Sequence, residues 1–368
     1  MSIKKYTYIL TTHLIQMKQL DIFDTISKLN EPVNYNLQNT KRKHSQKRRT
    51  KQNKNRRKTR HYKKYSGRKV DLTEPTIGPV KCSPAVKGKN ALPFTCYNAD
   101  VLEKIKKSYN DSHGIAEQIE TTKPNEIWKQ LRQRLVHCKK EDCWLREIKD
   151  ETLSTQLKEY IFAPTKPPVW KTNPNEWLTN HDIIKVLGQY EKTYKNFAFI
   201  NPTPIDFDER LKDEGNQCVT QELCEFSLKK HIDSGKTKIG MVFNLDEHDE
   251  DGSHWMSMFI DVDEKVIFYF DSAGNDIPDE INVLKDRIIE QGKKLDKPVE
   301  FEFHKNYPVA HQQGSTECGM YSLFFLITML TSETEYDKHL TMDEKLHLFK
   351  KQRIPDKYVE QYRHVYFN

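Results

Sequence analysis

No apolar run in this 368-residue chain approaches the roughly 20 residues that cross a bilayer. The longest, residues 321–330, is far shorter, so no membrane partner is expected. At the start of the chain Lys4 and Lys5 precede a short apolar patch, but Thr11, Thr12 and His13 interrupt it and no small-residue cleavage site follows, which argues against a secretion signal. Cysteine is sparse and unpatterned. Seven residues, an odd count without repeating spacing, argue against a disulfide framework and for a reducing compartment in which thiols stay free. Acid is absent from residues 41–70, which hold about 16 Lys and Arg, so a chain of net charge +7 carries about −9 outside that stretch.

With almost no aliphatic side chain, the basic stretch cannot bury enough surface to offset the entropy of ordering, and it is expected to be a disordered arm. Ahead of it, residues 1–40 include spaced apolar positions compatible with a helix. Seventeen Phe, 17 Tyr and five Trp supply aromatic mass for a core elsewhere. Residues 71–165 read as a mainly helical accessory region, with helical periodicity at 99–109 and 125–136, closed by the Pro-rich stretch 163–169. Cys82, Cys96, Cys138 and Cys143 fall there. They lack a CxxC pair, so ordinary buried thiols are preferred to a zinc site, and no metal or cofactor is expected. Residues 166–368 mix both periodicities. A helix is predicted over 177–194, strands over 238–245, 255–262, 265–270 and 299–304, and a buried helix over 318–330. The fold class is therefore α+β, a mixed central sheet with helices.

One constellation in this last region carries chemistry. The polar, turn-forming stretch 312–317 runs directly into the apolar helix, which places Cys318 at a helix N-terminus, where unpaired N–H groups and the helix dipole favour a thiolate nucleophile. A small buried thiol beginning a core helix would look the same. Two strand-like runs joined at Asp263 and Glu264 form a hairpin, and His254 and Asp271 stand at its open end, close enough for a carboxylate to orient an imidazole. Gln312, with Gln313 as its neighbouring alternative, could donate to an oxyanion beside the Cys318 N–H. Cys218 and Cys224 are rival thiols without a comparable helix, and His304 and His311 are rival bases without a hairpin carboxylate.

In the order His254-Trp255, Phe270-Asp271-Ser272, then Gln312 through Cys318-Gly319, the chain resembles the ubiquitin-like-protease family of cysteine peptidases, which includes SUMO-specific proteases and adenovirus proteinase. The resemblance covers roughly residues 170–332, and His311-Gln312 and Asn244 look similar to its large-DNA-virus branch. It implies a cysteine endopeptidase with catalytic His254, Asp271, Gln312 and Cys318, cutting after Gly-Gly or a similar small pair. Trp255 would form a narrow channel over the substrate backbone, and Trp177 its facing wall. The implied protein partner is a viral structural precursor, in a virion or host cytoplasm, or alternatively a SUMO-like or ubiquitin-like modifier. The arm running from Lys41 to its last lysine, Lys69, suits nucleic acid or a nuclear address. A nucleic-acid-binding structural protein on a dead scaffold is the reading of a different class, and intact His254, Asp271 and Cys318 argue against it.

Overall fold

The structure is a computed structural model that describes residues 81–87, 91–212, 215–334 and 339–368. The expected N-terminal helix and the basic arm lie outside these residues. Strands β1 (Phe197–Thr203), β4 (Lys238–Asn244), β5 (Trp255–Asp261), β6 (Val266–Phe270) and β7 (Glu302–Lys305) form one sheet in the order β1-β4-β5-β6-β7. The outer pairs β1/β4 and β6/β7 are parallel and the inner pairs antiparallel. Strands β2 (Arg210–Leu211) and β3 (Gln217–Cys218) form a small separate ribbon.

Both faces of the main sheet are buried, which is why its strands read as continuous apolar runs instead of alternating with polar residues. Phe197, Phe199, Val242, Phe259, Phe268 and Phe270 point into one core. Their neighbours Ala198, Ile200, Met241, Phe243, Met258, Ile267 and Tyr269 point into the other. Helix α7 (Asp279–Lys293), together with short α5 (Gln221–Cys224) and α6 (Leu228–Asp233), covers the second face through residues such as Leu223, Leu228, Ile281 and Ile288. The first face receives α4 (Asn180–Thr193), α8 (Cys318–Thr331), α9 (Met342–Lys351), and the short C-terminal α10 (Asp356–Gln361) and α11 (Arg363–Tyr366). Every residue of α8 from Cys318 to Leu330 is buried. A helix apolar on all sides has to be enclosed.

The predicted helix over 177–194 begins later than expected. Thr179 caps the backbone N–H of Asp182 while the Asp182 carboxylate accepts from Thr179 N–H, and this reciprocal box starts α4 at Asn180, leaving Trp177 and Leu178 outside it. The strand expected over 299–304 begins at Glu302, because Val299 N–H instead bonds back to Gly292 at the end of α7. In the helical part, α1 (Ala99–Asn110), α2 (Pro124–Arg134) and α3 (Glu151–Ile161) pack through Val101, Leu102, Ile105, Ile127, Leu131 and Leu157.

The expectation that the thiols stay free is corrected. Cys82–Cys96, Cys138–Cys143 and Cys218–Cys224 are bonded, and Cys318 is the one free cysteine among all seven, every one of which lies in the described residues. The pairs are local, separated by 14, 5 and 6 residues, and so leave no repeating spacing to read. The four cysteines weighed for zinc are consumed by two of these bonds.

The sheet-to-α8 contact is aromatic. Phe325 stacks on Phe270 at 4.8 Å and meets Phe268 and Phe349 edge-on at 5.2 and 5.0 Å. Phe325→Ala should therefore destabilise the protein by about 3–5 kcal/mol in denaturant titration. A loss under about 1 kcal/mol would mean that this cluster does not carry the contact.

Candidate active site

The β5–β6 hairpin pairs Ser257 with Phe270, so Asp271 follows the last paired residue of β6 and His254 directly precedes β5. His254 Nε2 lies 2.6 Å from Asp271 Oδ1. Asp271 is 1% exposed and Cys318 2%. Cys318 is the first residue of α8, and it is among the causes that raise the pKa of the His254 ring. Burial alone would lower the pKa of His254. The hydrogen bonds and negative charges of Asp271 and Cys318 override it and push the value up to about 10. The imidazole is thus held as a cation at neutral pH.

Each of these groups has a fixed seat. Asn306, 1% exposed, grips the backbone of Asp271 from both sides, accepting its N–H at 2.9 Å and donating to its carbonyl at 2.6 Å. The Asp271 carboxylate also accepts from Ala273 N–H at 2.8 Å. On the histidine side, Asp246 takes both the N–H and the hydroxyl of Ser253. Asn244 presses so closely on Gly252 that a Cβ there would fall 2.0 Å from its side-chain nitrogen. A side chain at 252 would push the Asn244 carboxamide aside.

Gln312 is oriented by Ser272, whose hydroxyl donates to the Gln312 carboxamide oxygen at 2.7 Å and whose carbonyl accepts the Gln312 N–H at 2.9 Å. The amide nitrogen donates one hydrogen to Gly314 O at 2.9 Å, and a carboxamide carries a second. Gln313 is exposed instead, its backbone N–H held by Asp356 at the start of α10. Asp356 also takes Gly314 N–H and the Tyr321 hydroxyl, each at 2.8 Å, fastening the loop ahead of Cys318 to the helix behind it.

Immediately before the thiol, Glu317 is buried and paired with Arg363, which is 3% exposed; Arg363 Nη2 to Glu317 Oε1 is 2.9 Å. Burial raises the Glu317 carboxyl against the opposing pull of the guanidinium. Arg363 donates further to Glu176 O at 2.8 Å and stacks over Trp170. One buried cation thereby ties the loop before Cys318 to the segment that carries Trp177. Trp177 is 38% exposed, and Trp255 is half-buried with its indole N–H bonded to Leu178 O at 2.9 Å. Gly319 lies beneath, where a Cβ would come within 3.0 Å of Leu178 and 3.2 Å of Trp255. Sequence reading missed Asn306, Asp356 and Arg363, which lie 35, 43 and 46 residues from Asp271, Gln313 and Glu317.

The rivals are otherwise engaged. Cys218 and Cys224 are bonded to each other. His311 donates from Nε2 to Phe349 O and accepts Ile354 N–H at Nδ1, and burial, above the opposing backbone bond to Phe349, brings its pKa down to about 4. His304 is likewise lowered by burial and by the neighbouring Lys350.

A thiol at a helix N-terminus beside a carboxylate-held imidazolium is the equipment of a cysteine-type peptidase, and that is the class of this chain. Residues 226–364 match the C-terminal catalytic domain of the Ulp1 protease family. The chain is 28% identical over 256 residues to a thiol protease of Acanthamoeba polyphaga mimivirus, covering 65% of this chain and 81% of that protein. It is 27% identical over 276 residues to a SUMO-1 cysteine protease of African swine fever virus, covering 68% of this chain and 97% of that one. A crystal structure of the African swine fever virus protease superimposes with a TM-score of 0.55 at 19% identity, over 80% of this chain and 97% of that chain, and so shares the fold. Among the described residues no helix is long and apolar enough to cross a membrane.

Because the folded pKa of His254 lies above its ordinary value of 6.5, the stabilisation from its charged form is complete below about pH 6.5 and is lost as pH rises through about 10. An NMR titration of the His254 ring should show its midpoint near 10, falling towards 6.5 in Asp271→Asn. A midpoint near 6.5 in the unaltered protein would contradict the ion-pair geometry.

Proposed function

We propose that Cys318 is the nucleophile, His254 its acid–base partner, Asp271 the orienting carboxylate and Gln312 an oxyanion donor in an endopeptidase that cuts after Gly-Gly-like pairs in viral structural precursor proteins. The observation that carries this reading is the 2.6 Å His254–Asp271 bond on the same ring that Cys318 engages. The Cys318 sulfur attacks the scissile carbonyl, and the C–N bond breaks as His254 protonates the departing amine. Water, deprotonated by His254, then hydrolyses the thioester. Charge on the tetrahedral oxygen is met by the Cys318 N–H and the Gln312 amide, whose orientation by Ser272 supports this role.

Cys318→Ala should abolish cleavage with the fold retained. Gln312→Ala should lower kcat on the order of a hundredfold, while Gln313→Ala should leave it unchanged. The reverse result for the two glutamines would reassign the oxyanion donor, and persistent cleavage by Cys318→Ala would remove the nucleophile.

Substrate choice rests on the tryptophans. The Trp255 indole is anchored by Leu178 beside Gly319, one residue from the thiol, and the exposed Trp177 belongs to the same segment. A slot walled by indoles admits a glycine backbone and rejects a bulky side chain. Peptides with Gly-Gly before the scissile bond should be cut far faster than matched Leu-Leu peptides, and Trp255→Ala should narrow the gap. Equal rates in the unaltered enzyme would rule out the channel.

The name of the African swine fever virus relative favours a second reading, in which the substrate is a SUMO-like or ubiquitin-like modifier. Incubation with a viral precursor and, separately, with a ubiquitin-like fusion distinguishes the two. The basic segment 41–69 would add nucleic-acid affinity by counterion release and would suit residence in a virion or nucleus.

A further inference from the structure

A cavity of about 480 Å³ lies away from the peptidase centre, between the helical part and the C-terminal residues. Its walls include Phe94, Trp128, Trp144 and Phe162. Trp144 and Phe162 are buried, whereas Phe94 is 38% exposed and Trp128 half-buried, so these two present ring surface to the space. Their rings meet edge-to-face at 5.7 Å, and the Arg132 guanidinium sits over Trp128 at 5.2 Å.

Much of the remaining lining is cationic. Lys139, Lys140 and Lys166 join Arg132 around the space, with Lys166 Nζ 2.9 Å from Nδ1 of His364, which also lines it. Burial, and then the charge of Lys140, lowers Lys166; burial, and then Lys166 and Lys81, lowers His364. Like charges have been gathered here at a cost. The carboxylate in the wall, Glu141, is already engaged by the Thr95 hydroxyl and, at 2.7 Å, by the Trp128 indole N–H. The Cys138–Cys143 disulfide closes the short loop that carries Lys139 and Lys140, limiting how far these two can retreat.

We propose that this cavity binds a nucleoside phosphate, its base against Trp128 and Phe94 and its phosphate among Arg132, Lys139, Lys140 and Lys166. Cations alone would serve any anion. An aromatic platform beside them selects a ligand that is both anionic and flat, since every base offers a π face and guanidinium planes stack on bases as well. The volume falls within the usual range for small-ligand pockets. The same chemistry is offered by a free mononucleotide and by one residue of a single strand.

The test is tryptophan fluorescence of the full chain, excited at the red edge where thymine does not absorb, titrated with dTMP, a short oligothymidylate, inorganic phosphate and polyglutamate. The basic segment 41–69 contains no tryptophan and cannot generate the signal directly. Saturable quenching by dTMP or by oligothymidylate is expected, the tighter of the two identifying the source. Phe94→Ala and the double variant Lys139→Glu/Lys140→Glu, all at exposed positions, should each weaken it roughly tenfold or more. Cys318→Ala should bind unchanged, which separates this site from the peptidase assignment. Absence of quenching, quenching unaltered in both variants, or displacement of dTMP by polyglutamate or phosphate with equal affinity would overturn the proposal, the polyglutamate result in favour of an acidic protein partner.

Discussion

A helix with no polar face has to be enclosed by the rest of the chain, and α8 is such a helix. One side of it is closed by the Phe268 and Phe270 rings of the sheet, and the other by Phe349, Tyr358 and Tyr362 from the C-terminal helices. This enclosure fixes where its first residue can lie. Cys318 stands at the end of the sheet where the β5–β6 hairpin opens, so the packing that holds the protein together also delivers the thiol to His254.

Charge around that point is arranged in concentric dependence. The imidazole is cationic because Asp271 is held next to it, and Asp271 is held because Asn306 occupies both of its backbone bonding groups. On the other flank, Asp356 and Arg363 fasten the two ends of the loop preceding Cys318. A buried ion pair such as Glu317–Arg363 adds little net stability over apolar packing, but removing one partner strands a charge, which costs about 3–5 kcal/mol. Its contribution is to geometry. The pair ties the loop before Cys318, and the backbone before Trp177, to the C-terminal layer.

What could be read from the sequence was whatever is local. The apolar run after Cys318, the hairpin spacing of His254 and Asp271, and the helical periodicities at 99–109 and 125–136 each depend on neighbours a few residues away. The boundary of α4 slipped because the Thr179–Asp182 box outweighed the apolar pattern that begins at Trp177. Strand β1 was passed over, since its place in the sheet is set by parallel pairing with β4 some 40 residues later and not by any turn. The supports Asn306, Asp356 and Arg363 are ordinary polar residues whose meaning appears only once the fold brings them to a site, and the disulfides were hidden because an odd cysteine count conceals three pairs and one remainder.

The position of Arg363 in the chain has a consequence for the order of events at the ribosome. Synthesis runs from the N-terminus at roughly 5–20 residues per second, so Cys318, Asp271 and His254 are all made before the residue that seats Glu317. For an interval on the order of seconds the nascent polypeptide holds His254, Asp271 and Cys318 while the cation that ties the 317 loop to the 175–176 backbone does not yet exist. Vectorial translation thus makes the thiol and the imidazole before the rivet, and a growing chain cannot close the layer around Cys318 until residues 363–366 have emerged and docked.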